Sequence, residues 1–268
     1  DDVTNGAAYE SLVAEILGAP NAPAVILLFS VFKSRWNLQD RLAPIGEAYG
    51  LPMVSVRDAV VPELDAGRMD EDDFFDDLYH QTDFGHRVMA DCLARYLDGV
   101  DASRGTTAVR ATPPETFPAA VYGRQFAGMR MLDRANVPSG VSVLPGVFSS
   151  VDPALASFGR EEPRPIFPNN WHKPAGSGAG EFRLEIECGS LLVVYKRSSD
   201  SDTFGVAEVS VDGEVVETLD GAPSGSWNNA YALVLFDAGE RARRVVTIRM
   251  EAGYESDAFT ILAFGYAE

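Results

Sequence analysis

An aspartate and a histidine three residues apart are the residues of this chain whose types and spacing could do chemistry. Asp77 and His80 lie in the run Asp76-Asp77-Leu78-Tyr79-His80. On one tight loop, the carboxylate of Asp77 can orient the imidazole of His80 and stabilise its charged form, as a general base in hydrolysis requires. The chain has no recognisable serine or cysteine elbow for this pair to activate, since the pattern Gly-x-Ser-x-Gly does not occur in it.

Helix and strand patterns alternate around the pair and must position it. The apolar, β-branched run 24–32 predicts a strand covered on both faces, and residues 51–56 predict a second short strand. Helical spacing is found at 9–17, 39–49, 59–66 and 83–97. Gly50 is expected to end the second helix as its C′ glycine. The alternation predicts an α/β domain in which parallel strands are joined by crossover helices.

The segment Asp76 to His86 carries a family resemblance. Its sequence, Asp-Asp-Leu-Tyr-His-Gln-Thr-Asp-Phe-Gly-His, resembles the last conserved block of the SGNH (GDSL-type) hydrolases, and the helix that follows it fits as well. The resemblance implies that His80 is the general base of an ester hydrolase and that Asp77 orients it. It implies neither an organic cofactor nor a metal, and the three widely spaced histidines do not suggest a metal site either.

The resemblance covers about residues 1–98, predicted as the C-terminal portion of a flavodoxin-like SGNH domain. The strands at Val25–Ser30 and Leu51–Val56 are similar to the later parallel strands of the family. The opening Asp1–Gly6 is similar to the sequence just after the family's Gly-x-Asn-Asp block. The family's Gly-Asp-Ser nucleophile block and its oxyanion-hole glycine and asparagine are not matched.

The small number of predicted strands also indicates that part of the α/β domain is missing from this sequence. A parallel sheet needs more than two clear strands, and an exposed apolar edge of this kind would promote aggregation. We therefore expect the nucleophile and oxyanion-hole blocks upstream of Asp1. The alternatives are that a second chain completes the domain, or that the segment is a degenerate half-domain.

Three further features of the first hundred residues have two interpretations each. Ser30, at the end of an apolar strand, is either a site serine or a packing and capping residue. His86 either stabilises its loop or takes part in catalysis. The acidic cluster at 70–76 either binds calcium or forms a solvated helix start, where acids are favoured by the helix dipole.

The remainder of the chain has a different pattern. Residues 99–118, rich in Thr, Pro, Ala and Gly, predict a linker. Residues 119–268 predict a β-sandwich or jelly-roll domain, with Asp212-Gly213 as a hairpin turn. Strands are expected at 182–187, 191–195, 207–211, 214–219, 230–236, 244–250 and 259–266. This half looks similar to the accessory jelly-roll domains attached to some bacterial carbohydrate esterases.

Two Trp-containing groups in the second half are candidates for carbohydrate binding. Trp171 with His172, and Trp227 with Asn228, combine a ring that can stack on a sugar with polar groups that can bind hydroxyls. The alternative is that both indoles are buried in the sandwich core while the asparagines turn the chain.

The amino-acid composition and net charge limit the classes of partner that the protein is expected to bind. Hydrophobic residues make up 46% of the 268 residues and the net charge is −18, which disfavours nucleic acid and anionic membranes. Cys92 and Cys188 are interpreted as buried thiols rather than as a disulfide. Location in the cytoplasm or secretion from a bacterial cell both stay open.

Together these patterns predict a serine-type ester hydrolase of the SGNH class that deacylates, most simply deacetylates, a carbohydrate ester. The alternative from another class is a non-catalytic carbohydrate-binding β-sandwich with a remnant hydrolase segment. A lipase or thioesterase of the same fold ranks below the carbohydrate esterase, because the sequence has no long apolar lid.

Overall fold

A computed structural model describes residues 4–21, 23–103, 116–153 and 167–268 of the protein. The chain divides into two compact units, Asp1–Ala127 and Gly128–Glu268. The predicted combination of an α/β part with a small parallel sheet and a jelly-roll-like all-β part is confirmed. Within the predicted linker, 99–102 continue a helix and 104–115 lie outside the described residues.

The described residues of the first unit form helices around two short strands. In chain order these are α1 (Ala7–Gly18), β1 (Leu27–Phe29), α2 (Gln39–Tyr49), β2 (Met53–Ser55), α3 (Val56–Asp65), α4 (Glu71–Phe74) and α5 (Asp83–Ala102). β1 and β2 pair in parallel, with Leu27 opposite Met53. Gly50 follows α2 with a left-handed φ of 62°, which confirms it as the C′ residue.

Both strands are shorter than predicted. In each strand, only three residues pair with residues of the other strand. The side chain of Leu28 is exposed, although the sequence predicted a strand covered on both faces. Two apolar clusters form the core of this unit. The first lies between α1, β1 and α2, and includes Val13, Leu27 and Ile45. The second joins α3 and α4 and includes the adjacent side chains of Phe74 and Phe75.

The described residues of the second unit form eight antiparallel strands. They are β3 (Arg130–Leu132), β4 (Ser142–Leu144), β5 (Trp171–Lys173), β6 (Glu181–Arg197), β7 (Val206–Val211), β8 (Glu214–Asp220), β9 (Asn229–Met250) and β10 (Phe259–Ala267). The main order is β3-β10-β6-β9-β7-β8, with β4 on β6 and β5 on β10. The hairpin turn at Asp212-Gly213 joins β7 to β8, as predicted.

Two long strands organise this sheet. β6 unites two predicted strands, and β9 unites two more. The register between them shifts on either side of Gly189 and again between Leu191 and Leu192. Such bulges bend a strand, so that the two halves of each long strand can both pack against the same apolar core. Cys188 lies in that core, and burial raises the pKa of its thiol to about 11.

Among the helices described, none is long and apolar enough to cross a membrane. Neither cysteine forms a disulfide; Cys188 is buried and Cys92 is half-buried.

Candidate active site

A short loop between α4 and α5 carries the predicted acid and base. The side chains of Phe74 and Phe75 before the loop are fully buried, with their rings edge to face at 4.8 Å. Phe75 forms a β-bridge with Gln81 after the loop. The amide of Asp76 donates a hydrogen bond to the carbonyl of His80 at 3.0 Å. The loop 76–80 is therefore closed at its base and anchored in the core.

Asp77 and His80 are hydrogen-bonded to each other on this loop. Oδ2 of Asp77 lies 2.8 Å from Nδ1 of His80. Its Oδ1 accepts hydrogen bonds from the backbone amides of Tyr79 at 2.7 Å and of His80 at 2.8 Å. Both side chains are exposed. The structure thus brings together the two residues that the sequence singled out, in the arrangement expected of an oriented imidazole.

The electrostatics of the pair define the roles of the carboxylate of Asp77 and the imidazole of His80. The hydrogen bond from His80 and, to a smaller extent, those from the two backbone amides lower the pKa of Asp77 to about 2. The carboxylate is ionised at neutral pH and can only accept, so Nδ1 of the imidazole carries a proton. In the neutral tautomer Nε2 then has a free lone pair. Across the described part of the chain, Nε2 meets no hydrogen-bonding group, so it can take a proton from an incoming hydroxyl.

Thr82 and Gly85 hold the start of α5 against the loop. The hydroxyl of Thr82 accepts a hydrogen bond from the amide of Gly85 at 3.1 Å, as an N-cap. The amide of Thr82 donates to the carbonyl of Phe74 at 3.0 Å. A Cβ on Gly85 would lie 2.4 Å from that same carbonyl oxygen and 2.9 Å from Cβ of Gln81. The glycine of the Gly-His dipeptide is therefore required by close packing.

The turn after β1 is tied to the same loop. The amide of Lys33 donates to the carbonyl of Leu78 at 3.2 Å, and the side-chain amide of Gln81 donates to the carbonyl of Val31 at 2.9 Å. These bonds place the loop at the carboxyl end of β1, where parallel α/β sheets gather functional groups.

The acidic cluster has structural contacts of its own. Asp70 caps α4 by accepting from the amide of Asp72 at 3.0 Å. Asp72 pairs with Lys33 at 2.7 Å, and Glu71 pairs with Arg35. These contacts favour the interpretation of the cluster as a helix start whose acids bind neighbouring cations.

Neither Ser30 nor His86 joins the pair. The hydroxyl of Ser30 contacts Sδ of Met89 at 3.9 Å. His86 lies exposed in the first turn of α5, and its backbone amide donates to Thr82. Within the described ranges, no serine or cysteine side chain is hydrogen-bonded to His80.

The candidate carbohydrate-binding residues of the second unit differ in how far they are buried. Trp171 is 2% exposed and packs against the rings of Phe182 and Phe264. Its indole belongs to the core, so it does not offer an exposed stacking face. His172 is half-buried, with Nδ1 2.9 Å from the hydroxyl of Thr260.

His172 borders a buried ion pair. The ammonium of Lys196 lies 2.9 Å from Oδ2 of Asp152, which also accepts from the hydroxyl of Thr260 at 2.8 Å. Burial lowers the pKa of His172, and the nearby charge of Lys196 acts in the same direction, while that of Asp152 opposes it. This network connects strands of the second unit through groups with little access to solvent.

Trp227 and Asn228 lie on a loop before β9. Trp227 is 55% exposed. Asn228 adopts a left-handed φ of 62°, and its side-chain oxygen accepts from the amide of Ser199 at 3.2 Å. Its side-chain nitrogen donates to the hydroxyl of the same serine at 3.0 Å. The asparagine fixes the loop, and the indole of Trp227 keeps the exposure that a sugar-stacking ring needs.

The chain shares the fold of a two-domain esterase. The crystal structure of a two-domain esterase, CEX, active on acetylated mannans aligns over 100% of this chain and 71% of its own length. The TM-score is 0.78 and the sequence identity is 23%. The same esterase co-crystallised with mannopentaose aligns over 100% of this chain and 69% of its own, with a TM-score of 0.78 and 22% identity. At this identity the likeness is one of fold.

A family two carbohydrate esterase from Cellvibrio japonicus aligns over 52% of this chain and 33% of its own. The TM-score of 0.34 and the identity of 8% are too low to support a conclusion. No protein-family model and no curated protein sequence matches the chain.

The sequence patterns did not predict that aromatic and basic residues from another part of the chain lie beside the loop. Phe32 and Trp36, in the turn after β1, lie beside it, and Arg35 fixes that turn. A usable signal was present, because two large aromatic residues and two cations directly follow an apolar strand at the edge where parallel sheets place functional groups.

Proposed function

We propose that the chain belongs to a serine-type ester hydrolase of the SGNH class that removes acyl groups, acetyl in the simplest case, from carbohydrate. His80 is its general base and Asp77 orients the imidazole. The nucleophilic serine and the oxyanion-hole donors lie outside the described residues. The observation that carries the proposal is the bond between Asp77 Oδ2 and His80 Nδ1, which leaves Nε2 available for proton transfer.

The first half of the reaction forms an acyl-enzyme. The serine oxygen attacks the ester carbonyl carbon while its proton moves to Nε2 of His80. The imidazolium is stabilised by the carboxylate of Asp77. As the tetrahedral intermediate collapses, the bond to the sugar oxygen breaks and Nε2 returns the proton to that oxygen, so the sugar leaves as a neutral alcohol.

The second half restores the enzyme. Water attacks the acyl carbon and gives one proton to Nε2 of His80. The bond to the serine oxygen then breaks, and the proton from Nε2 returns to the serine. The carboxylic acid is released, and no net charge or proton remains on the enzyme.

Three observations support the carbohydrate part of the proposal. The neighbour that shares the fold is an esterase active on acetylated mannans, and a structure of it contains mannopentaose. The second unit presents Trp227 as an exposed ring. The net charge of −18 suits a neutral polysaccharide better than a phosphate-rich or membrane-bound substrate.

The free edge of the small sheet supports a nucleophile supplied from elsewhere. Among the residues described in the first unit, β1 pairs only with β2, and Leu28 of β1 is exposed. A further parallel strand beside β1 would cover this apolar edge and bring its own carboxyl end towards the loop of His80.

Hydrolysis of p-nitrophenyl acetate by the full-length protein tests the proposal. We expect His80→Ala to lower kcat/KM by about 10²- to 10⁴-fold, the usual contribution of a general base. His86→Ala is the matched control, because it removes an exposed imidazole six residues away that makes no contact with Asp77. Equal rates for His80→Ala and the unchanged protein would exclude His80 as the base.

Exposure of Trp227 favours a second candidate, a non-catalytic carbohydrate-binding protein. In that case the full-length protein would bind mannopentaose without releasing acetate from acetylated mannan. Binding would also be lost in Trp227→Ala and retained in His80→Ala.

A further inference from the structure

Three aromatic rings form a continuous patch beside the loop of His80. The rings of Phe32 and Trp36 are stacked, with centroids 5.5 Å apart and planes 10° apart. The ring of Tyr79 meets that of Phe32 edge to face at 5.6 Å. Tyr79 is the residue before His80, and its own amide donates to Asp77. The ring patch of Phe32, Trp36 and Tyr79 therefore ends at the catalytic pair.

The outer rings of the patch are unusually open to solvent. Trp36 is 48% exposed and Tyr79 is 61% exposed, whereas Phe32 between them is half-buried. Large aromatic side chains are normally found at least partly in a core, and contiguous apolar surface on a folded protein marks a place of interaction.

The turn that carries Phe32 and Trp36 is rigid. The amide of Phe32 donates to the carbonyl of Trp36 at 3.1 Å and the amide of Arg35 donates to the carbonyl of Phe32 at 2.8 Å. Arg35 has a left-handed φ of 69°, which is costly for a residue with a side chain unless the surroundings impose it.

The surroundings of Arg35 do impose this conformation. Its guanidinium donates to the carbonyl of Lys33 at 2.8 Å, to Oδ1 of Asp65 at 3.3 Å and to the carboxylate of Glu71. Glu71 opens α4, the helix that leads into the loop of His80. The ring patch and the catalytic pair are therefore held by one set of contacts, so their separation is fixed before a ligand arrives.

The patch also borders a cavity. The cavity of about 230 Å³ at the carboxyl end of β1 is lined by Phe32 and Trp36 together with Ser30, Asn37 and apolar side chains. An apolar wall with a few polar groups is the composition of small-ligand sites.

Stacked aromatic rings recognise one chemical class of ligand well. The face of an aromatic ring carries negative charge, and the axial C–H groups of a pyranose present a slightly positive, flat surface to it. A sugar lying on such a ring keeps its hydroxyls, and any ester on them, at the rim. An acyl chain, by contrast, would need a closed apolar tunnel rather than an open face.

We propose that the ring patch of Phe32, Trp36 and Tyr79 is the saccharide subsite of this enzyme, on which the pyranose that bears the ester lies while His80 transfers the proton. This inference rests on the proposed function and adds to it the residues that select sugar esters over other esters. Trp36 and Tyr79 are the specificity-determining residues, and Phe32 positions them.

The test compares a sugar ester with a small ester that has no ring. Ethyl acetate serves as the small ester, since the aromatic ring of p-nitrophenyl acetate could itself stack on Trp36. Rates are measured for acetylated manno-oligosaccharide and for ethyl acetate with the full-length protein, with Trp36→Leu, which removes the ring, and with Trp36→Phe, which keeps one.

We expect Trp36→Leu to lower kcat/KM for the acetylated manno-oligosaccharide by about three- to tenfold, mainly by raising KM, which is the magnitude of one aromatic contact. Hydrolysis of ethyl acetate, which has no ring to stack, is expected to fall by a clearly smaller factor, and Trp36→Phe recovers most of the loss. Tyr79→Leu, which retains the amide that donates to Asp77, is expected to act in the same direction.

Failure of the subsite and failure of the proposed function give different results. If Trp36→Leu changes the rates for both esters equally, or neither, the subsite is overturned while the hydrolase remains. If no ester is hydrolysed, binding of mannopentaose measured by isothermal titration calorimetry still decides the subsite. Affinity that is equal in Trp36→Leu and the unchanged protein would refute it.

Discussion

At the scale of single residues, four atoms of Asp77 and His80 carry the proposed chemistry: the two carboxylate oxygens, Nδ1 and the proton-accepting Nε2. One carboxylate oxygen binds Nδ1 of the imidazole, and the other accepts two backbone amides. The second set of bonds matters as much as the first, because it fixes the carboxylate and thereby the ring plane of His80. An exposed aspartate without those amides would be free to rotate away, and the imidazole would lose its preferred tautomer.

Asp77→Asn tests the orienting role. The amide can still accept at one atom but it carries no charge, so the imidazolium formed during the reaction loses its stabilisation. We expect kcat to fall by about 10²- to 10⁴-fold while KM changes little. Asp76→Asn, the neighbouring exposed residue, is the control and should leave kcat unchanged. A similar fall in both variants would indicate a general effect on the loop.

The low pKa of Asp77 predicts how the loop responds to acid. Its pKa of about 2 lies below the ordinary value of an aspartate, so the folded loop favours the ionised form. The resulting stabilisation is complete above the ordinary pKa and is lost as the pH falls towards 2. The carboxyl 13C shift of Asp77 should therefore titrate near pH 2, and a midpoint near 4 would contradict the hydrogen-bonded geometry.

At the scale of elements, the loop works because both of its ends are immobile. Phe74 and Phe75 anchor the α4 side, and the cap of Thr82 with the close approach of Gly85 anchors the α5 side. The Asp-x-x-His spacing alone would allow many loop shapes. The buried pair of rings before it and the glycine after it select one of them.

Two glycines of α5 provide a matched test of this packing. In Gly85→Ala the new Cβ would collide with the carbonyl of Phe74, so we expect a destabilisation of about 1–3 kcal/mol together with reduced activity. Gly99 has open space around its Cβ position, so Gly99→Ala should be neutral or stabilise by up to about 1 kcal/mol. Urea unfolding measures both, and equal effects would argue against the close contact at Gly85.

Local sequence patterns predicted most helices and strands. Where the structure differs from the prediction, the cause is pairing between residues that are far apart in the sequence. α2 and its C′ glycine follow from helical spacing and Gly50. The alternating pattern at 182–187 and the denser apolar run at 191–195 predict two strands, whereas in the structure β6 continues from one to the other through a bulge at Gly189. The Asp77–His80 bond spans three residues and could be predicted, but Arg35 and Glu71 lie 36 residues apart, so sequence spacing gave no sign of that contact.

At the scale of the whole molecule, one buried carboxylate determines where the first unit ends. Glu10 of α1 is fully buried and accepts hydrogen bonds from the backbone amides of Val121, Tyr122 and Gly123. The sequence division placed residues 119–127 with the β-sandwich, but these bonds and that of Ser11 with Phe126 hold them on the first unit. No local pattern could indicate a partner more than a hundred residues away.

Glu10→Gln should release this segment. Burial alone would raise the pKa of Glu10, but the three amides and the hydroxyl of Tyr49 together lower it, so the folded state favours the charged form. We expect a loss of about 1–3 kcal/mol and faster hydrogen exchange at residues 121–123. Glu15→Gln, on the exposed face of the same helix, is the control. Unchanged exchange in Glu10→Gln would disprove the anchoring role.

The stabilising effect of Glu10 has a defined pH dependence. Since its folded-state pKa is lowered, its contribution is complete above the ordinary pKa of a glutamate and is lost as the pH falls. Exchange at residues 121–123 should therefore lose protection on acidification in the unchanged protein but show no such step in Glu10→Gln.

Above all, we propose that His80, oriented by Asp77, is the base of a carbohydrate esterase. Acetate release from acetylated mannan by the full-length protein and by its His80→Ala and His86→Ala variants tests it most directly. We expect His80→Ala to release acetate at least about 100-fold more slowly, while His86→Ala keeps the rate of the unchanged protein. Acetate release by His80→Ala at the unchanged rate would contradict it.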